Sequence, residues 1–239
     1  MKTLFLLLGG AKFGKILFSG GSMFLSVFVY SWVFGWWYAI GFVILLFAHE
    51  MGHYVAARQK GINVGLPTFI PFVGAWIDIK QMPHSVKDEA YIAFGGPFVG
   101  TLASLICYYA SRSYDSHLLL AIAYSGFFLN LFNLIPISPL DGGRITAILS
   151  PKIWFLGVPL LGVAFYYFHS PMLILILILA LPQLKKAWYY DLQSEENRDY
   201  YAVSLEDKLM YGLYYFLLVG FLSAMTYELY QILHRVTGM

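Results

Sequence analysis

The sequence predicts an all-α polytopic membrane protein of six to seven transmembrane helices. Three observations predict it. The 239 residues are 59% hydrophobic and only 12% charged, whereas a soluble domain carries about 25% charged residues. Too little polar surface therefore exists to coat a globule in water. The apolar residues gather in runs approaching the roughly 20 residues that a spanning helix needs. The basic residues fall almost entirely on one side of those runs. A soluble enzyme and a disordered chain are both excluded. A net charge of +2, carried by scattered basic residues, excludes a nucleic-acid surface. The single cysteine, Cys107, excludes an intrachain disulfide framework and a cysteine-based zinc cage. It sits in an apolar run, where packing accounts for it.

Candidate spans lie near 16–34, 36–58, 90–111, 117–135, 152–168, 171–184 and 209–233. The fifth and sixth are short and separated only by His169-Ser170-Pro171, so a single broken hairpin there would reduce the count to six. Met1–Gly10 reads as an interfacial start to a retained membrane domain, since only Lys2 precedes its apolar core and no clear cleavage site follows. With the amino terminus in the cytosol, only Arg112 and Arg235 of the 15 basic residues fall outside, a strong positive-inside asymmetry. The substantial polar sequence, including about 185–208, is then cytosolic. No repeat, low-complexity linker or appended soluble domain interrupts the pattern. The expectation is one transmembrane domain over 1–239, multi-pass in the plasma membrane of a prokaryote, with its chemistry in about 36–150.

The second span, WWYAIGFVILLFAHEMGHYVAAR, holds three residues that do not belong in hydrocarbon. His49, Glu50 and His53 lie roughly 20 Å along the helix from Trp36, where an ionisable group costs several kcal/mol unless something compensates it. His49 and His53 are four residues apart, so both imidazoles project from one face and can ligate one metal ion. Glu50 lies beside them, where it can address a water. This is the H-E-x-x-H arrangement of zinc hydrolases. The bland reading is three buried polar groups satisfying one another. Catalytic zinc usually has three protein ligands, and Asp141 in NLFNLIPISPLDGGR is the best-placed remaining acid. Pro136 and Pro139 break the fourth span near its cytosolic end, and Gly142-Gly143 free the backbone just after the acid. Broken backbone at membrane depth is tolerated only against protein or a water-filled cavity. Taken alone, Asp141 serves equally as the N-cap of a helix beginning at Gly142; beside the His pair, the ligand reading is favoured.

HEMGH in a membrane helix, followed by NLIPISPLDGGR, resembles the site-2 protease family of intramembrane zinc metalloproteases. GGPFVG near the start of the third span resembles that family's third recurrent feature. The resemblance covers about 36–150. It implies one zinc ion per chain on His49, His53 and Asp141, Glu50 as the catalytic base, and Asn133 in substrate or transition-state contacts. It also implies a transmembrane protein substrate in the lipid bilayer, hydrolysed in regulated intramembrane proteolysis; a regulatory membrane protein is left open as a further partner. The chain lacks room for the PDZ insert or CBS domain that some relatives carry.

Residues 62–80, INVGLPTFIPFVGAWIDIK, are oddly apolar for a cytosolic loop. Pro67 and Pro71 disfavour a helix, and Ala75–Lys80 alternates weakly as a strand does. The resemblance implies a membrane-associated β-hairpin here; the apolar, Pro-punctuated character of the stretch adds the expectation that its edge, with Gly74, Ala75, Trp76 and Ile77, receives unwound substrate as an added strand. The competing reading is an interfacial loop anchored by Phe69, Phe72 and Trp76. Gly96, Gly100 and Ser104 form a small-residue stripe that favours close helix approach, so packing is the better reading for Gly95, Gly96 and Pro97. His84, His117, His169 and His234 fall at span ends or in loops, and Tyr189–Lys208 reads as a solvated acidic run. A membrane zinc carrier or transporter would use the same His and Asp groups. It would also offer polar relay sites in several spans, and the other spans are almost bare of charge. An inactive metal-binding relative would have no need of Glu50.

Overall fold

A computed structural model describes residues 2–71, 74–76 and 83–237. Helix α1 (Lys2–Phe34) turns at Gly35, whose φ of +82° suits glycine, into α2 (Trp36–Gln59). Strands β1 (Thr68–Ile70) and β2 (Gly74–Trp76) follow. Next come α3 (Val86–Ser113), α4 (His117–Asn133) and the short α5 (Asp141–Thr146). A 3-10 turn (Pro151–Leu156) leads into α6 (Gly157–Phe168), and α7 (Pro171–Trp188), α8 (Glu195–Arg198) and α9 (Leu205–Thr237) complete the order. The fold is a helical membrane bundle, as the composition predicts.

Six segments among the described residues are long and apolar enough to cross a membrane. The shortfall is not at the fifth and sixth spans, as their sequence suggests. The 3-10 turn and α6 together supply 18 residues, and α7 another 18. The short apolar helix is α4, at 17 residues, because the chain must leave the helix before Pro136. At the third span, α3 begins at Val86, ahead of the expected position near 90. Ser85 caps it by accepting from Asp88 N at 3.2 Å, and Asp88 and Glu89 lie in its first turn, where acidic groups complement the helix dipole.

The spans α2 and α3 are the most enclosed, 50% and 44% buried, against 17–28% for α1, the α6 segment, α7 and α9. They therefore form the centre of the bundle. Their backbones meet at Gly52 and Gly95, where an added Cβ on Gly95 would lie 2.7 Å from Gly52 O. Helix α4 packs beside them, and α9 closes a shared core through Phe127, Leu134, Ile145, Leu218, Leu222 and Leu229.

Strands β1 and β2 form the expected hairpin, antiparallel with Thr68 opposite Trp76, Phe69 opposite Ala75 and Ile70 opposite Gly74. Of the predicted strand Ala75–Lys80, the described part ends at Trp76; Ile77 and the anchor Phe72 lie outside the described residues. Phe69 is no interfacial anchor: it is buried with Tyr30, Ala39, Val43 and Leu46 between α1 and α2.

Candidate metal centre

Two helices and one break in a helix assemble the site. On α2, His49, Glu50 and His53 are all buried, at 4%, 7% and 9% exposure. The chain leaves α4 at Leu134 and loops back through Pro136 and Pro139 to start α5 at Asp141, which is 7% exposed. The polar groups freed by that break have protein partners. Tyr215 of α9 donates to Leu134 O at 2.6 Å, and Trp154 Nε1 donates to Gly143 O at 2.7 Å. An unsatisfied carbonyl at this depth would cost several kcal/mol, so Tyr215 offsets the break at Leu134, while Trp154 adds a second donor to Gly143 O, which already accepts from Ala147 N at 3.0 Å. Gly142 and Gly143 serve close approach rather than backbone freedom. A Cβ on Gly142 would press on the carbonyls of Leu134 and Ile135, and one on Gly143 on the backbone of Ile137 and Ser138. Asp141 is not an N-cap. Leu140 occupies that position, and the Asp141 carboxylate turns instead to α2.

His49 Nε2 and His53 Nε2 each lie 3.2 Å from Asp141 Oδ2 and 3.1 Å from one another. One ligand atom from each residue falls within 4.8 Å of the others. Ligands at about 2.0–2.1 Å around a tetrahedral ion stand roughly 3.4 Å apart, so the three separations match such a site. Hydrogen bonding on the far side of each ring agrees. His53 Nδ1 donates to Ile92 O at 2.8 Å, and His49 Nδ1 donates to Asn130 Oδ1 at 2.8 Å. With Nδ1 protonated, both neutral rings present Nε2 lone pairs to the space that the carboxylate oxygen shares. Three electron-pair donors around one point suit a cation, and two imidazoles with a carboxylate suit zinc. Glu50 is not a member of this group. It follows His49 directly on α2, and among the described residues its carboxylate takes part in no hydrogen bond or ion pair.

The other expected residues divide. Asn133 closes α4, half-buried, and its amide donates to Leu129 O at 3.1 Å; among the described residues no hydrogen bond joins it to the three ligand atoms. Gly74, Ala75 and Trp76 form β2, and Ile77 is outside the described residues. The backbone direction of β2 follows from its partner. Phe69 N donates to Ser22 Oγ on α1 at 3.1 Å, away from β2, so Phe69 and Ala75 are a non-hydrogen-bonded pair. The N–H and C=O of Ala75 consequently face the outer edge, while those of Gly74 and Trp76 hold the hairpin. The small stripe does pack closely, but against the site itself: an added Cβ on Gly96 would run into the His53 ring, and one on Gly100 into the Asn130 amide. Asn130 was not singled out by motif reading. Its signal was an amide in the apolar run FFLNLFN, a placement that demands a polar partner.

The fold and this site define an integral membrane protein carrying a buried His–His–Asp group suited to a metal ion. Residues 37–115 match the family profile described as Peptidase family M50. Over 128 residues the chain is 30% identical to the zinc metalloprotease MJ0392 of Methanocaldococcus jannaschii, covering 50% of this chain and 37% of that one. Over 122 residues it is 31% identical to the putative zinc metalloprotease Rip3 of Mycobacterium tuberculosis, covering 48% and 31%. The solved Site-2 Protease from Methanocaldococcus jannaschii aligns at TM-score 0.46 and 21% identity, over 76% of this chain and 87% of that one. The match to the Peptidase family M50 profile takes in 79 of the 239 residues. It spans about a third of the length of the curated relatives it matches.

Proposed function

We propose that the chain is an intramembrane zinc metalloprotease that hydrolyses a peptide bond within or near the transmembrane segment of a membrane-protein substrate. One observation carries the reading: three converging ligand atoms with a buried, uncommitted carboxylate, Glu50, beside them. His49, His53 and Asp141 would hold one zinc ion per chain. When bound, zinc supplies Lewis-acid chemistry, acidifying a water and polarising a scissile carbonyl. Glu50 accepts the water's proton on its carboxylate and returns it to the leaving amine. Asn133 helps to hold the developing oxyanion through its amide N–H. A zinc carrier would use Glu50 as a further ligand or a proton carrier, whereas a hydrolase needs it free to take a proton from water. The names of the relatives, all zinc metalloproteases, agree with the hydrolase.

A substrate helix must unwind before its carbonyl can be attacked, because its backbone groups are bonded to one another. The outward N–H and C=O of Ala75 support strand addition as the way the unwound segment is received. Pairing along that edge satisfies the freed groups and extends the scissile bond toward the His–His–Asp group. The distribution of basic residues supports a site toward the cytosolic side of the plasma membrane, with 1–239 read as one transmembrane domain. The test co-expresses wild type or Glu50→Gln with a library of tagged single-pass proteins. Fragments that form with wild type alone support the protease. Equal fragment patterns from both, with zinc retained in both, would sink it.

A further inference from the structure

We infer that Asn130 is a positioning residue, fixing His49 in the tautomer that leaves Nε2 free for the metal ion. The inference rests on the metal reading of the His–His–Asp group but concerns a residue outside it. Asn130 is 1% exposed on α4, facing α2 and α3, where an unpaired amide would be costly. Its orientation is dictated by its surroundings. Asn130 Nδ2 donates to Gly126 O at 2.7 Å, one turn back on its own helix. A carbonyl can only accept, so the nitrogen must face it, and Oδ1 is left facing His49 Nδ1 at 2.8 Å. An amide oxygen likewise can only accept, so His49 carries its proton on Nδ1.

The two histidines are thus fixed by different means. His53 is held by a backbone carbonyl, Ile92 O, which no substitution at that position removes. His49 depends on one side chain. Asn130 is itself held from behind by Gly100, where a Cβ would lie 2.7 Å from Nδ2 and 2.9 Å from Cγ. A histidine ligand whose other nitrogen loses its acceptor swaps tautomer or tilts, and metal affinity falls by about 10–100-fold. A purely structural role, pinning α4 against α2, predicts something else. Two variants separate the roles. Asn130→Leu and Asn130→Asp both lose the donor to Gly126, so a structural role damages both alike. Asp keeps an acceptor for His49 Nδ1–H, and Leu does not.

The experiment titrates full-length protein in detergent with zinc against a chromogenic chelator, and measures the melting temperature of each metal-free variant. Asn130→Leu should bind zinc about 10–100-fold more weakly, while Asn130→Asp stays within about threefold of wild type; their metal-free melting temperatures should fall together. Gly100→Ala reaches the same bond without touching Asn130, should weaken zinc in the same direction, and decides the matter if Asn130→Leu does not fold. Equal zinc affinities for Leu and Asp, or a Gly100→Ala protein that binds as wild type does, would overturn the role of Asn130 while leaving the metal site standing. A folded wild type that binds no zinc would overturn both.

Discussion

Gly96→Ala is a one-methyl change that should act on the metal rather than on the fold. The new Cβ would stand 2.8 Å from His53 Cδ2 and closer still to Nε2 and Cε1. These are the atoms of the ring edge that faces Asp141. Overpacking of this kind costs about 1–3 kcal/mol. The metal-free protein can relieve it by turning the imidazole aside, giving up its bond to Ile92 O. The metal-bound protein cannot, since His53 must stay in place to ligate. The cost therefore falls mainly on the bound state, and at about 1.4 kcal/mol per tenfold it weakens zinc by about 5- to 150-fold. Zinc titration against a chelator, beside thermal melting of the metal-free protein, measures both sides. Unchanged zinc affinity, or a loss of metal-free stability as large as the loss of binding, would refute the reasoning.

Asp141→Ala removes the third ligand and leaves its two histidines facing one another; zinc should be lost at chelator concentrations that wild type withstands, and equal retention would remove Asp141 from the site. Ala75→Pro deletes an outward N–H and should lower cleavage of a transmembrane substrate by about 2- to 13-fold, the value of one net hydrogen bond, with zinc content intact. Trp76→Pro deletes a bond within the hairpin, so it should destabilise 68–76 instead; identical behaviour of the two variants would defeat the edge-strand reading. Reporter fusions after Lys60 and Lys186 should be cytosolic and one near Ser113 external, and an external signal at Lys60 would reverse the topology.

Much of the site was legible because metal ligation demands residue types that lipid punishes. His49, Glu50 and His53 stood out against an apolar run, and Asp141 against a helix broken by two prolines. What the motifs could not convey was the partner of each group. Asn130 and Asn133 are both amides in one span, and their sequence context does not say which one reaches His49. That depends on the rotation of α4 against α2, set by the packing of Gly100 and Gly126. The glycines of the third span read as packing residues, which they are, but the identity of what they pack against needed the fold. Span lengths misled for a related reason. Hydropathy sees the apolar residues of α4 running on through Leu134 and Ile135, and not the change of direction that carries Asp141 back to the histidines.

The acidic run before the last helix also turned out to have a place. Val86 N donates to Tyr200 O at 3.0 Å, and Tyr200 Oη donates to Glu89 Oε2 at 2.6 Å. Burial, and then the Glu89 carboxylate beside it, push the Tyr200 phenol well above its ordinary value. Its contribution to stability is fully present below pH about 10, where the unfolded phenol titrates, so the tie holds throughout the neutral range. Glu89 Oε1 lies 3.4 Å from Arg144 Nε, and Arg144 Nη1 lies 3.9 Å from Asp141 Oδ1. A path thus runs from the loop toward Asp141 of the proposed metal site, and its magnitudes decide whether it matters there. The first link is a short bond to a charged, half-buried acceptor, worth about 1–2 kcal/mol after allowing for its exposure. The last link is too long for a hydrogen bond. Tyr200→Phe should therefore loosen the loop and spare the metal. Amide exchange or limited proteolysis over 189–204 should speed up by about 5- to 30-fold, while zinc affinity stays within about threefold of wild type. An unchanged loop would show that the backbone bond to Val86 suffices to hold it. A zinc affinity that falls as far as in Gly96→Ala would show that Arg144 holds Asp141 more firmly than 3.9 Å allows.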